Sequence, residues 1–318
     1  MSAPRVDRYG WFQESPIEDD SEESNENERE MKWMKMLQRW DFYITNKYNL
    51  VAKRIRKGIP DAVRSKAWLV ITQAEKVKKI AGRNTYSNYL QMEPTEFYEL
   101  IDRDLNRTFP QISFFSKKEF ISSLKNILYA YSQKDHDLGY SQGMAFLAAM
   151  FLLYFDEETS FWAFHSVMTN DITKQIDFFK GNKTRLTLAS NIFEQLVKED
   201  YYEVWENFQQ QNILYPFFTT KWFVPAFLSM DWSSEMQLRI YDQFLFYGMR
   251  FLLSFGLMIV HVHRNDLKKM KMDEIMKLLT CPEKSDKMKN CSKVFKKLND
   301  VWINKRRYEM LVTRFKKN

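Results

Sequence analysis

The chain has 318 residues, a length that allows one large domain or two moderate ones. Hydrophobic residues make up 45% of the sequence, and only 8 Gly and 8 Pro are present, which excludes a turn-rich β-sandwich and favours long helices in an all-α fold. The net charge of +7 is uneven, because residues 266–318 carry 16 Lys and Arg against 7 Asp and Glu (+9), which leaves −2 for the rest.

The first 30 residues are predicted to be a disordered acidic leader. Residues 13–30 contain nine Asp and Glu and almost no apolar side chains, so this segment cannot bury enough surface to offset the entropy of ordering. An interaction tail is the alternative. The N-terminus has no apolar stretch typical of a signal peptide. From Met31 the helical spacing of Trp33, Met36, Leu37 and Trp40 predicts an N-terminal helix over 31–52.

The domain core is predicted to occupy residues 53–265, with 266–318 as its basic helical C-terminal part. It opens on RKGIPDAVRSKAW at 56–68. Pro60 is suited to a helix start, where its missing N–H is no loss. Arg64 and Trp68 then lie one turn apart, and we expect Arg64 to pair with a carboxylate or a carbonyl and Trp68 to lie in the core.

A charged motif follows in IDRDLNRTFP at 101–110. We predict a helix from about residue 94 that buries Ile101 and ends before Pro110, with Arg107 in its last turn. Asp104 and Arg107 lie three residues apart, close enough to pair on one face. On its own, such a pair is usually exposed to solvent and contributes roughly a few tenths of a kcal/mol to stability.

A second motif, GYSQGM at 139–144, follows a predicted amphipathic helix and a polar loop. It presents the side-chain amide of Gln142 between two glycines, Gly139 and Gly143. Glycine permits unusual φ angles and close backbone approach, although glycines punctuate turns in general. A buried helix is predicted to begin at Gly143.

The remaining chain is predicted to be helical over 157–168, 185–197, 201–210, 217–230, 234–246 and 249–263, with two or three helices in the tail. The apolar stretch 244–262 is long enough to cross a membrane, but Arg250 interrupts it, so we predict a buried helix. His261 and His263 have no third ligand nearby, which argues against a metal. Cys281 and Cys291 form no pattern of a disulfide framework, which fits a reducing, cytoplasmic setting.

Taken together, these motifs resemble those of the TBC family, the GTPase-activating proteins for Rab GTPases. IDRDLNR and GYSQGM resemble the IxxDxxR and YxQ motifs of that family, and 56–68 resembles its opening segment. KWF at 221–223, with Trp222, and RIYDQFL at 239–245, with Arg239 and Asp242, resemble two later segments. The resemblance covers about residues 54–265. Tyr241 stands where relatives carry Trp, and Ala145 where they often carry Asn. DRYGWF at 7–12 resembles an element that precedes the domain in one branch.

The resemblance implies a multi-helix TBC fold and a role for the two motifs. Arg107 would be an arginine finger and Gln142 a glutamine finger, both supplied in trans to a GTP-bound Rab. Asp104 would hold Arg107 in position, and Tyr140 would either pack beneath its loop or touch the Rab. The chain has no GxxxxGK[ST] motif, so GTP and Mg²⁺ are expected on the partner, and the chain itself would turn over no substrate. It would thereby regulate vesicle trafficking. The alternative is a catalytically weak Rab-binding scaffold of the same fold.

The basic tail permits a further expectation. Its lysines could contact an anionic membrane weakly, on endomembranes or the plasma membrane, and no nucleic acid is expected. The interpretation that we favour is a set of amphipathic helices that close the domain and leave lysines in solvent.

Overall fold

The computed structural model describes Asp7 and residues 23–110, 112–113, 117–181 and 184–316, and these residues form helices and turns without a β-strand. The predicted all-α class is therefore confirmed. The chain divides after Asn170 into two compact units. This division falls inside the predicted core, and residues 266–316 lie in the same unit as 171–265.

The first unit contains ten helices among its described residues. They are α1 (Glu23–Leu37), α2 (Trp40–Asn46), α3 (Tyr48–Lys57), α4 (Asp61–Thr72), α5 (Ala74–Ala81), α6 (Thr85–Leu90), α7 (Phe97–Leu105), α8 (Lys118–Lys134), α9 (Met144–Leu152) and α10 (Glu157–Thr169).

The N-terminal helices correct the sequence prediction. The disordered leader was predicted to end at residue 30, but α1 begins at Glu23. The single helix predicted over 31–52 is divided among α1, α2 and α3, and α3 continues past the predicted start of the core at residue 53. The physical reason is tertiary: Trp33 and Met36 are buried, and Arg29 donates to the carbonyl of Gly58 at 3.2 Å. Residues 8–22 of the leader, and with them most of the DRYGWF element, lie outside the described residues.

The core of the first unit is built around α4, α8, α9 and α10. Trp68 is fully buried and packs edge-on against Phe151 and Tyr154, with ring centroids 5.8 and 4.9 Å away. Helix α9 buries eight of its nine residues, as predicted for a helix that begins after Gly143. It thereby fixes the chain that follows the glutamine motif.

Helix α8 contacts both the segment before α7 and α7 itself. The Tyr129 hydroxyl and the Gln133 side-chain amide of α8 donate to the carbonyls of Met92 and Glu93, at 2.5 and 2.8 Å, just before α7. Farther along, Lys125 of α8 pairs with Asp102 of α7 at 2.8 Å. These contacts fix the helix that leads into Arg107.

The second unit is also helical. Its helices are α11 (Ile176–Phe179), α12 (Thr184–Asp200), α13 (Tyr202–Gln210), α14 (Pro216–Phe223), α15 (Ser234–Tyr247), α16 (Met249–Leu267), α17 (Met272–Thr280), α18 (Asp286–Lys289), α19 (Cys291–Leu298) and α20 (Lys305–Lys316), with 3₁₀ turns at Pro282–Lys284 and Asn299–Val301.

One helix in this unit is shorter than predicted. We expected 217–230, but α14 ends at Phe223 and turns follow. Pro225 has no N–H with which to continue the helical ladder. Ala226 and Phe227 then adopt positive φ angles of 50° and 64°. Helix α16, in contrast, buries 14 of its 19 residues, as predicted for a helix of the core.

The motif residues Trp222, Arg239 and Asp242 of the second unit lie in or against its core. Trp222 is fully buried, and its indole N–H donates to the carbonyl of Leu279 at 2.8 Å. Asp242 is also fully buried, and the Arg239 guanidinium lies 4.2 Å from the centre of the Phe295 ring. In the part of the chain that the structure describes, no helix is both long and apolar enough to span a bilayer.

The tail forms four α-helices, where two or three were predicted. Many of its apolar residues face the interior of the second unit: Ile275, Val294, Phe295, Leu298 and Ile303 are all buried.

Candidate functional site

The charged motif lies at the C-terminal end of α7. This helix ends at Leu105, so Arg107 lies two residues beyond it and not in the last turn as predicted. The backbone forms tighter, 3₁₀-type turns here. The amide of Arg107 donates to the carbonyl of Asp104, and the amide of Thr108 donates to the carbonyl of Leu105. The Thr108 hydroxyl also donates to the carbonyl of Asp104 at 2.8 Å.

Asp104 is the centre of the site. Its side chain is only 3% exposed, and each carboxylate oxygen has a donor. Oδ1 accepts from Nη2 of Arg107, and Oδ2 accepts from the Tyr140 hydroxyl at 2.7 Å. A buried carboxylate requires such pairing, since an unpaired buried charge is strongly unfavourable.

Among the residues that the structure describes, Asp104 is the side chain that binds the Arg107 guanidinium. The Arg107 side chain is 56% exposed, although one nitrogen is bound to the buried carboxylate. The guanidinium has five N–H donors in a planar fork, so it retains donors that can meet an incoming anion. The structure thus presents a restrained cation to solvent.

Tyr140 is buried at the base of the glutamine loop. It is 3% exposed, and it joins the loop to the end of α7 through Asp104. Burial, together with the hydrogen bond to Asp104, raises the pKa of the Tyr140 hydroxyl above its ordinary value. The hydroxyl therefore stays protonated and serves as a donor.

The two glycines shape the loop around Gln142. Gly139 has φ = +60°, and a Cβ there would lie 2.1 Å from Cε2 of Phe97. Gly143 has φ = +104° and immediately precedes α9. Gln142 lies in the turn before Gly143 with its side chain exposed.

Phe97 was not among the predicted site residues. The sequence places it on the apolar stripe of α7, and its contact with the Gly139 backbone depends on how α7 meets the loop. Ile101, on the same helix, is fully buried and anchors α7 in the core.

A second Asp–Arg–Tyr group in the same unit provides a comparison. Arg64 contacts Asp61 at 2.5 Å, and the Tyr154 hydroxyl donates to the same carboxylate at 2.6 Å. Here the arginine side chain is only 6% exposed, and it also donates to the carbonyl of Ile59 at 2.6 Å. Arg64 thus contacts both a carboxylate and a carbonyl, the kinds of partner that were expected for it. The same trio of residue types therefore buries one guanidinium and exposes the other.

The geometry supports recognition of an anionic group on a partner molecule. A restrained guanidinium and an exposed primary amide come from two segments that the Asp104–Tyr140 hydrogen bond ties together. An amide both donates and accepts, so it can orient a water molecule. Within the described residues, no three His, Cys, Asp or Glu side chains are grouped as metal ligands would be.

The chain is similar to proteins of one family. Residues 61–268 match the Rab-GTPase-TBC domain (RabGAP-TBC). The chain is 32% identical over 237 residues to TBC1 domain family member whacked of Drosophila melanogaster, which covers 73% of this chain and 63% of that protein. It is 29% identical over 311 residues to growth hormone-regulated TBC protein 1 of Xenopus tropicalis, which covers 92% and 85%.

A nematode relative is much longer. Rab GTPase-activating protein eat-17 of Caenorhabditis elegans is 27% identical over 305 residues, which cover 96% of this chain and 33% of that protein. The chain thus spans less than two thirds of the fly relative and a third of the nematode relative.

Solved structures share the fold. The Chlamydomonas flagellar RabGAP TBC domain superposes with a TM-score of 0.71 at 20% identity and covers 93% of this chain and 99% of its own. The Ypt/Rab-GAP domain of Gyp1p superposes with a TM-score of 0.68 at 15% identity and covers 88% and 99%.

Proposed function

The chain belongs to the Rab-GTPase-TBC family, and from that premise we propose that it accelerates GTP hydrolysis by a Rab-family small GTPase, with Arg107 and Gln142 acting in trans. The observation that carries this proposal is the state of Arg107. It is more than half exposed, yet it is bound to a carboxylate that is almost fully buried.

Arg107 would act on the charge that develops during phosphoryl transfer. An arginine supplied in trans neutralises charge on the β- and γ-phosphate oxygens and accelerates hydrolysis about 10³- to 10⁵-fold. Asp104 and Tyr140 would be positioning residues, since they restrain the guanidinium before the partner arrives. Such preorganisation lowers the entropic part of the barrier.

Gln142 would act on the attacking water. In Ras-type enzymes a glutamine of the GTPase orients this water. The exposed amide on a loop tied to Arg107 by Tyr140 supports the same task here, carried out from the activator. GTP and Mg²⁺ would arrive with the Rab, so the chain would contribute catalytic groups without turning over a substrate of its own. Ending the GTP-bound state of a Rab would place the protein in the regulation of vesicle trafficking.

The test is single-turnover GTP hydrolysis by a panel of purified Rab GTPases. With the responding Rab, Arg107→Ala should lower the acceleration about 10³-fold or more, because the transition-state charge is then unmatched. Gln142→Ala should also reduce the saturating rate while GTP-dependent binding persists. Arg103→Ala is the matched control, since Arg103 is an exposed arginine one turn earlier that donates to the carbonyl of Glu99 at 3.4 Å.

The outcomes separate the two candidate roles. Acceleration that survives Arg107→Ala refutes the finger assignment. A chain that binds GTP-loaded Rabs and accelerates none of them is the scaffold that was the alternative.

A further inference from the structure

Helix α2 is a surface helix with unusual composition. Its sequence is WDFYITN, and none of its seven residues is buried. Phe42 is 40% exposed, and Trp40, Tyr43 and Ile44 are only half-buried. A helix that packs only against its own domain would bury such an apolar set, so this surface is suited to a further contact.

Cations surround this apolar surface. Residues 39–57 contain six Lys and Arg and a single acidic residue, Asp41. The Arg39 guanidinium lies 4.7 Å from the centre of the Phe42 ring, and Lys47 Nζ lies 5.7 Å from it. The aromatic ring and the positive charges thus occupy the same surface.

The cationic surface continues along α3. Leu50, Lys53 and Lys57 recur at helical spacing, all three are exposed, and they line a groove of about 290 Å³ between α1 and α3. Trp33 lies in the same groove with Lys32. No carboxylate of the described residues lies within 4.0 Å of Lys53 or Lys57.

Three cations of the basic tail differ in this respect. Lys287 pairs with Asp266 at 2.6 Å, and Lys268 pairs with Glu203 at 3.0 Å. Arg307 binds both Asp200 and Glu199. These three cations are therefore compensated within the protein, whereas Lys53 and Lys57 have no such carboxylate among the described residues.

We propose that the α2–α3 face, formed by Arg39, Phe42, Lys47, Leu50, Lys53 and Lys57, docks onto an anionic membrane surface. Lysine stems lie along apolar surface while their ammonium groups reach lipid phosphates and carboxylates, and aromatic rings partition into the headgroup region. Each Lys or Arg near such a surface strengthens binding about fivefold. The proposal places the membrane contact on this face because apolar and cationic side chains occupy it together, and the inference is independent of GTPase activation.

The experiment is co-sedimentation of the full chain with lipid vesicles. Binding is expected to vesicles that contain about 30 mol% phosphatidylserine in phosphatidylcholine and not to phosphatidylcholine alone. The double variant Lys53→Gln, Lys57→Gln should weaken partitioning roughly 30-fold, as two cations are lost. The matched control is Lys293→Gln, Lys296→Gln, which removes two exposed lysines from α19 in the tail.

Two further arms test the parts of the face. Phe42→Ser should weaken binding several-fold with little change in charge, because the ring is lost from the interface. Raising salt to about 1 M, where the screening length falls to about 3 Å, should release the protein. Circular dichroism of each variant would verify folding, which we expect to be retained because the changed residues are exposed.

The result that would overturn the inference is equally specific. Equal binding to neutral vesicles, no binding to anionic vesicles, or a loss in the α19 variant as large as in the α3 variant would each refute docking through the α2–α3 face.

Discussion

Tyr140→Phe tests whether the hydrogen bond beneath the glutamine loop positions Arg107. The substitution removes one oxygen and leaves the ring in place. Oδ2 of Asp104 then loses the donor that lies 2.7 Å away, in a place where the carboxylate is only 3% exposed.

The magnitude follows from the charge of the acceptor. A hydrogen bond to a charged group contributes about 1.5–3 kcal/mol, so the free energy of unfolding should fall by that amount. The carboxylate would then be free to turn, and the Arg107 guanidinium would lose its fixed geometry. Since a displacement of about 1 Å can reduce a rate a hundredfold, we expect the saturating hydrolysis rate to fall about 10- to 100-fold.

Tyr154→Phe is the matched control. Tyr154 donates to Asp61 at 2.6 Å, in the group that holds the buried Arg64. Its loss should lower the free energy of unfolding by a similar amount and leave the saturating rate unchanged.

The assay combines urea unfolding with single-turnover hydrolysis at saturating activator. A Tyr140→Phe protein that is destabilised like Tyr154→Phe but retains the full saturating rate would refute the positioning argument. The bond would then stabilise the fold and nothing more.

Three further predictions concern the same unit. Gly139→Ala should destabilise the protein by about 2 kcal/mol or more, measured by urea unfolding, because it combines a positive φ with overlap on Phe97, and Phe97→Leu should restore part of the loss; an unchanged midpoint would contradict the close approach. Arg107→Lys should keep Rab binding but lose most of the acceleration in single-turnover assays, because an ammonium lacks the planar fork, and full activity would show that charge alone suffices. Burial, with a contribution from Lys134, lowers the pKa of His165 to about 4. Unfolded histidine takes up its proton near pH 6.5 and the folded side chain does not, so the free energy of unfolding should fall between about pH 6.5 and 4, and His165→Phe should reduce this dependence in urea titrations.

Local pattern was sufficient for most helices of the fold. The spacing of apolar residues predicted α12, α15 and α16 to within a few residues, because each is long and has a continuous buried face. It failed at the first turns of α1, where the acidic composition of residues 23–30 predicted disorder. Helix α1 packs against α4, and Arg29 donates to the carbonyl of Gly58, contacts between distant segments that no local pattern contains.

The sequence motifs predicted which residues belong to the candidate site, but not how those residues contact one another. The motifs identified Asp104 and Arg107 as a possible pair, and the structure places them in contact. They did not reveal that the Tyr140 hydroxyl donates to the Asp104 carboxylate or that Phe97 lies against Gly139, because both contacts join segments distant in sequence. The spacing of Asp61 and Arg64 is the same as that of Asp104 and Arg107, so spacing alone could not tell the buried arginine from the exposed one.

Because Asp104 is buried, removal of Arg107 should cost more stability than the exposure of Arg107 alone would suggest. A surface ion pair contributes about 0–1 kcal/mol, and by that measure removal of a half-exposed arginine would hardly matter. Asp104, however, is 3% exposed, and among the described residues the Tyr140 hydroxyl would be the side-chain donor left to its carboxylate. Arg107→Ala should therefore lower the free energy of unfolding by about 1–3 kcal/mol, whereas Arg103→Ala should change it by less than about 0.5 kcal/mol.

Urea unfolding of the two alanine variants decides the point, and equal midpoints would mean that Asp104 finds water or another donor when Arg107 is removed. If the midpoints differ as expected, the same contact that holds the guanidinium ready also couples the loss of activity to a loss of stability. Hydrolysis by Arg107→Ala must then be measured well below its unfolding temperature, so that a missing finger is not confused with an unfolded protein.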